Sequence, residues 1–480
     1  MFAMELDDRA ISLARDGQVL ACAPSAVFDG SPGGPAAGTN AWRELRSRPM
    51  ATSSRHLGAV LTQRGLSPRS ESLVAAELKV RLNERAVGER VWIVTPARVE
   101  PKGLERLLGI AHHLGVPVDG FIDTAAVTAA SVGSERNALV LELGLHHTAA
   151  TAVDCEGAQA RRRRTVLAER GGYIELHQLW LDLISTTMVR RTRFDPLHDA
   201  ATEQQLFDAL PALTREVAVT GNTTAHVAKG KERFEVALTR DQFVQAAEPI
   251  YRSVIALLHQ LRPAGSPAVI IVPRVVAELP GMRQLFEQFV GCELVSITDG
   301  FAAAATSILD LPERPAEQDA VRLLRRLPLQ SAASLADSRI REELGQRRST
   351  GPAPSHVLLD GRAYSLTTDT LVVGRAPESI GARAQTLTPV ALSPGESQVA
   401  RYVTLPDGLA GVSRRHCTFV READELVLLD HSTFGTYVNG ERVQERVRVH
   451  AGDRVRLGEP GVELALIAVG EVPAAVIQQP

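Results

Sequence analysis

The sequence predicts an α/β unit built by internal duplication and followed by an all-β sandwich, and three observations support this. Two meanders of short strands, starting near Phe2 and near Asn137, are each followed by alternating strand and helix segments. From Ser355 onward the pattern changes to short alternating strands, nearly all separated by turn signals. Between the two regions, Leu311 to Pro354 contains Pro312, Pro315, Pro328 and the run Ser349-Thr350-Gly351-Pro352-Ala353-Pro354, which reads as a tether with helical content over Leu335 to Leu344. The expected divisions are 1–310, 311–354, 355–470 and a tail, 471–480.

A chain of 480 residues is too long for one ordinary core, so at least two folding units are expected. The net charge of −3 calls for neither a nucleic-acid partner nor a disordered acidic tail. Cys22, Cys155, Cys292 and Cys417 are far apart and show no metal-ligand spacing, so they read as small buried side chains in a reducing cytoplasm. No apolar run approaches the ~20 residues that span a bilayer, so no integral membrane segment is expected.

Taken in order, Phe2 to Leu6, Ala10 to Ala14 and Val19 to Ala21 form the first meander, with a turn at Asp16-Gly17. Gly30 to Arg55 is rich in Gly, Pro, Ser and Ala and reads as a long loop. A helix over Glu71 to Leu82, a buried strand at Val91 to Val94, a helix over Leu104 to Leu114 and a strand at Val118 to Ile122 follow. Asp123-Thr124 then caps an alanine-rich helix. Asn137 to Gly144 and Thr148 to Val153 open the second meander. The run Arg161 to Arg164 reads as a solvated edge, because no aromatic side chains interleave with it as nucleic-acid binding would require. Helices over Ile174 to Arg190, Glu203 to Leu213 and Arg240 to Leu261 flank a strand pair near 217–227 and 234–238. Ala268 to Val272 is an apolar strand ended by Pro273. A helix from Gly281, a strand at Cys292 to Ser296 and an alanine-rich helix from Gly300 complete the unit.

The order of these elements resembles the actin-like (ribonuclease H-like) ATPase superfamily, which includes the DnaK-type chaperones and the MreB and FtsA proteins. The matching stretches include Val91 to Ala97, Ile122 to Ala126, Asn137 to Val153, Gly171 to Glu175, Ile270 to Gly281 and Asp299 to Ala303. The resemblance implies ATP with magnesium, held by two acid-then-glycine hairpins and an adenosine-side glycine pair. All three places depart from that pattern. The first hairpin reads Leu6-Asp7-Asp8-Arg9-Ala10, without glycine. The second reads Glu142-Leu143-Gly144-Leu145-His146-His147-Thr148, and Pro273-Arg274 replaces the glycine pair. Leucine and proline obstruct close backbone approach to a phosphate, and proline also removes an amide donor. The expectation is a fold retained without catalysis and with no cofactor; Asp7, Glu142 and Gly144 are the residues that an ATP-binding alternative would use. His146 and His147 read as loop histidines.

In the C-terminal region, Gly374-Arg375, Ser413-Arg414-Arg415-His416, Asp430 to Gly440 and Gly452 to Gly458 form four ordered blocks. A phosphate needs a forked cation, hydroxyls and free amides converging on it, and Arg375, Ser413, Arg414 and Thr433 are of those types. The spacing resembles the forkhead-associated (FHA) domain, which binds phosphothreonine peptides. The resemblance implies phosphate contact by those four residues, with Gly374, His416, Gly435 and Asn439 supporting the loops. Phe434 stands where many members have an asparagine that grips the peptide backbone. The segment Ala376 to Ala400 reads as a loop insertion beside Arg375. The functional expectation is a cytoplasmic scaffold that recruits a threonine-phosphorylated partner through this module and a second protein through the actin-like unit. The alternative is an actin-like ATPase regulated by phosphothreonine binding.

Overall fold

The computed structural model describes residues 1–30, 34–82, 89–262, 266–311, 321–330, 335, 338–344, 353–359, 362–366, 370–375, 387–389, 399–406, 409, 411–422, 425–439, 441–443, 445–458 and 461–468. It divides into a unit of Met1–Phe286 with Cys292–Glu343 and a unit of Glu287–Gly291 with Leu344–Pro480.

The first unit is built twice over. In one sheet, Phe2–Leu6 pairs antiparallel with Ile11–Arg15, which pairs with Gln18–Ala23; Val91–Thr95 and Val118–Asp123 add parallel strands on the other side of Phe2–Leu6. In the other sheet, Ala138–Leu143, Thr148–Glu156 and Gln159–Ala168 form the meander, and Val269–Pro273 and Glu293–Ile297 are the parallel strands. The same five-strand order therefore occurs in both sheets. The parallel strands Val91–Thr95 and Val269–Pro273 are almost wholly apolar because both of their faces are covered.

Two alanine-rich helices, Thr124–Val132 and Phe301–Ser307, join residues of both sheets in one core with Trp92, Val140 and Ile271. Small side chains let these helices lie close to their neighbours. Asp123 caps the first helix by accepting from the Ala126 amide at 3.0 Å, as its sequence position predicts. Helices Tyr173–Thr192, Ala200–Thr220 and Arg240–Leu261 pack with the two-stranded sheet Asn222–Lys229 and Glu232–Thr239. The second helix thus runs seven residues beyond the expected Leu213, and the strand pair begins after it, at Asn222 rather than near 217.

The stretch read as a tether differs most from expectation. Leu323–Leu324 extends the first sheet beside Val118–Asp123, and Arg326–Pro328 extends the second beside Gln159–Ala168. The expected helix over Leu335 to Leu344 is a strand, Arg339–Glu343, antiparallel to Glu293–Ile297. The pairing between Arg341 and Glu293 at 2.8 Å is available only along the edge of that strand, and tertiary pairing overrides local propensity here. Residues 312–320 and 345–352, which carry much of the proposed tether, lie outside the described residues, as do 376–386, 390–398 and the tail 471–480. The Gly30 to Arg55 loop holds short strands at Ala36–Ala37 and Thr52–Ser53 and a helical turn at Thr39–Trp42.

In the second unit two six-stranded sheets enclose one core that includes Leu371, Val373, Phe419, Leu428, Val455 and Leu466. Thr370–Arg375 lies between Val399–Leu405, parallel, and Cys417–Glu422, antiparallel. That central position fixes where Gly374 and Arg375 leave the sheet. Among the described residues no helix is long and apolar enough to cross a membrane.

Candidate functional site

The four blocks of the second unit converge at one end of its sandwich. The Arg375 amide donates to the Ser413 carbonyl at 3.1 Å, and the His416 amide donates to Val373 O at 2.9 Å. A Cβ at Gly374 would sit 2.1 Å from Arg414 O, so only glycine allows this loop to lie against the strand. The Ser413 hydroxyl accepts from the Thr433 amide at 3.0 Å, which ties the two binding loops together.

His416 is fully buried beneath them. Its Nδ1 accepts from the Ser413 amide at 3.0 Å and its Nε2 lies 3.1 Å from Gly435 O. Nε2 must then carry the proton, and burial lowers the pKa so that the ring stays neutral. Gly435 has φ +87°, the left-handed region that favours glycine. Asn439 also has positive φ and bridges loops, donating to Asp453 Oδ1 and accepting from the Arg454 amide, each at 2.9 Å. Gly374, His416, Gly435 and Asn439 thus all lie in these loops or directly beneath them.

Arg375 is half-buried, and its Nε is enclosed without a partner among the described residues. Ser413 is half-buried, while Arg414 and Thr433 are exposed. The site is a rim of polar side chains: two guanidiniums and two hydroxyls. Phe434 is 53% exposed, an unusual position for a large apolar ring and one adjoining Thr433. Sequence reasoning missed two supports. Asp430 accepts from the Thr436 hydroxyl at 2.6 Å and the Ser432 amide at 2.9 Å, and its spacing two residues before Ser432 was a legible turn signal. The Tyr402 hydroxyl donates to Arg414 O at 2.7 Å, a long-range contact with no local signature.

The first unit brings together Asp7, Glu142 and Gly144, but around a side chain the sequence did not single out. Asp8 is 1% exposed and enters the second hairpin. Its Oδ1 accepts from the Leu145 amide at 2.8 Å; its Oδ2 lies 3.1 Å from Arg98 Nη2 and 3.2 Å from His147 Nδ1. Burial alone would raise its pKa, but His147, Arg98 and the Leu145 amide outweigh it and hold the carboxyl well below the usual range. His146 and His147 lie in the loop between Ala138–Leu143 and Thr148–Glu156, as the sequence suggests, but His147 is buried against a carboxylate, and His146 contacts Ser54 at 3.1 Å. A Cβ at Gly144 would come 2.4 Å from Asp8 Oδ1, so this glycine admits a carboxylate of the same chain.

Of the remaining sequence-named acids, Glu142 is buried and Asp7 half-buried. Asp7 accepts from the Arg9 amide, and burial pushes its pKa up to about 6. Arg9 continues to Asp299 at 2.6 Å, linking the first hairpin to the loop before the Phe301–Ser307 helix. Arg162, expected to be solvated with its neighbours, pairs instead with Asp123 and donates to Ala97 O at 2.7 Å. Glu142 accepts from the Ala97 amide at 3.1 Å, and its Oε1 is buried without a partner among the described residues.

Burial pushes the Glu142 pKa up to about 8, from an ordinary value of 4.5. The folded state therefore binds more protons than the unfolded one across that interval, and stability falls as pH rises through it. Glu142→Gln keeps an acceptor for Ala97 and removes the charge. Its melting temperature relative to the parent chain is expected to rise between pH 5 and pH 8.5, as measured by thermal melts; a difference independent of pH would contradict this.

Comparison with known families is consistent with this geometry at one end of the chain. No curated protein matches the chain. Residues 395–458 match the family model of the FHA domain, a span that takes in Ser413 to Asn439 but not Gly374 and Arg375, so the second unit of this chain carries an FHA domain.

Proposed function

We propose that the chain is a non-catalytic adaptor that binds a threonine-phosphorylated protein through Arg375, Ser413, Arg414 and Thr433. The observation that carries this reading is the enclosed Nε of Arg375, without a partner among the described residues, beside the tied Ser413 and Thr433 loops. A buried donor without an acceptor costs about 1–3 kcal/mol, which a phosphate oxygen would recover. Charge-assisted bonds of this kind, at roughly 1.5–3 kcal/mol each, let one phosphate decide whether a peptide binds. Phe434 offers the peptide an apolar ring in place of an amide, so the phosphate grip is kept while backbone recognition is altered.

The first unit is read as an actin-like fold that has given up nucleotide and engages a second protein. The repeated five-strand order and the two helices between the sheets support the fold. Asp8 on the Leu145 amide, with Pro273 where a glycine pair would lie, supports the loss of phosphate binding.

Binding of a phosphothreonine peptide library by the full chain tests the first part, with the unphosphorylated library as comparison. Selective retention of phosphopeptides is expected, and equal retention of both contradicts the reading. Calorimetry with ATP and magnesium tests the second part: no heat is expected, and micromolar binding lost in Glu142→Ala would favour the ATPase alternative.

A further inference from the structure

We propose that the FHA domain selects, among phosphothreonine peptides, those that carry both an apolar side chain and a carboxylate close to the phosphothreonine, the first held by Phe434 and the second by Arg442 with Tyr437. That selectivity rests on the phosphothreonine reading of the same rim and narrows its ligand.

Phe434 is presented on a fixed loop. On one side the Thr433 amide donates to the Ser413 hydroxyl at 3.0 Å. On the other, the Gly435 carbonyl accepts from the Gly458 amide at 2.9 Å and lies 3.1 Å from His416 Nε2. The backbone is thus pinned before and after the ring, yet the side chain stays exposed and outside the apolar core of the sandwich. A ring held in water contributes little to folding. It does suit a ligand, because a large apolar surface on a fixed loop has little conformational entropy left to lose on binding.

Next to that ring lies a row of side chains that the sequence did not single out. Arg442, Tyr437 and Arg456 are direct partners across Glu441–Arg442, Thr436–Val438 and Arg454–Leu457, so their side chains share one face. The Arg456 guanidinium lies over the Tyr437 ring, 4.3 Å from its centroid. Arg442 is exposed and forms no ion pair among the described residues, and the Tyr437 hydroxyl has no hydrogen-bond partner among them. A Cβ at Gly435 would sit 2.9 Å from Arg442 Nε and 3.3 Å from the Tyr437 hydroxyl, which puts both groups against the residue that follows Phe434. A carboxylate can accept from both at once, with the charge-assisted bond going to the arginine. An extended peptide advances about 3.3 Å per residue, so side chains flanking a phosphothreonine at Ser413 and Thr433 pass Phe434 and Gly435 in turn.

The test screens the full chain against a phosphothreonine library randomised on both sides of the phosphothreonine, beside its unphosphorylated counterpart. Enrichment of an apolar residue at one position and of Asp or Glu at another is expected. Phe434→Ala should abolish the first preference and keep the second, and Arg442→Glu should replace the second by a preference for Lys or Arg. For one enriched peptide followed by fluorescence anisotropy, Arg442→Ala should weaken binding roughly tenfold. In that variant, exchanging the peptide's carboxylate for its carboxamide should cost nothing further. Phe434 and Arg442 are exposed, so the melting curves of the variants are expected to match that of the parent chain. Absence of either preference among the retained phosphopeptides, or its persistence in the matching variant, overturns the selectivity and leaves the phosphothreonine reading in place. Equal retention of phosphorylated and unphosphorylated peptides overturns both.

Discussion

Asp8→Ala is expected to lower the stability of the first unit by about 3–5 kcal/mol, the usual effect of removing one member of a buried ion pair. The Asp8 carboxylate satisfies the Leu145 amide, Arg98 and His147 together, and its loss leaves those groups buried without their counter-charge. Asp8→Asn retains an acceptor for the Leu145 amide while losing the charge, so it is expected to fall between the parent chain and Asp8→Ala. Denaturant unfolding at neutral pH measures both. The pH dependence has a definite sign. A depressed carboxyl pKa gives stability that is complete above the unfolded value of about 3.9 and is lost as pH falls below it. Asp8→Ala and the parent chain should therefore converge in stability on acidification. A loss smaller than 1 kcal/mol would mean that the hairpins are held together by something other than this carboxylate.

Arg375→Ala is expected to weaken phosphothreonine-peptide binding roughly 10- to 150-fold, the equivalent of one charge-assisted hydrogen bond of about 1.5–3 kcal/mol. The side chain emerges from the central Thr370–Arg375 strand, and its backbone amide, which the substitution keeps, is what holds Ser413. The loop geometry should thus survive while the forked cation is lost. Fluorescence anisotropy with a labelled phosphopeptide reads the change, and an unchanged melting curve separates lost contact from lost structure. Arg375→Lys should recover only part of the affinity, because an ammonium cannot donate in the planar, two-pronged manner of a guanidinium. Undiminished binding by Arg375→Ala would remove the phosphate role from this end of the sandwich.

The binding end of the second unit was largely legible from sequence because its parts are tied to local backbone demands. Gly435 occupies a left-handed turn, Gly374 a position that tolerates no side chain, and Asn439 a bridging turn, so each residue type reports its own surroundings. Tyr402 was not legible: its bond to Arg414 O joins positions whose proximity depends on sheet pairing. The strand at Arg339–Glu343 was misread for a similar reason, since a charged segment pairs with Glu293–Ile297 only after the second sheet exists.

Asp8 marks the line between the two kinds of information most clearly. From the sequence alone, a first hairpin without glycine, a second with Leu145 and His146 after its single Gly144, and a proline at the third loop already argued against close backbone approach to a phosphate, because those constraints act within a few residues of chain. The sequence also determined the repeated strand–helix order and the change to a sandwich after Ser355, through local periodicity. Only the tertiary structure decided what lies between the hairpins. Asp8 meets Leu145 across 137 positions of sequence, and the partners of a buried charge depend on which distant groups share its low-dielectric surroundings rather than on its neighbours in the chain.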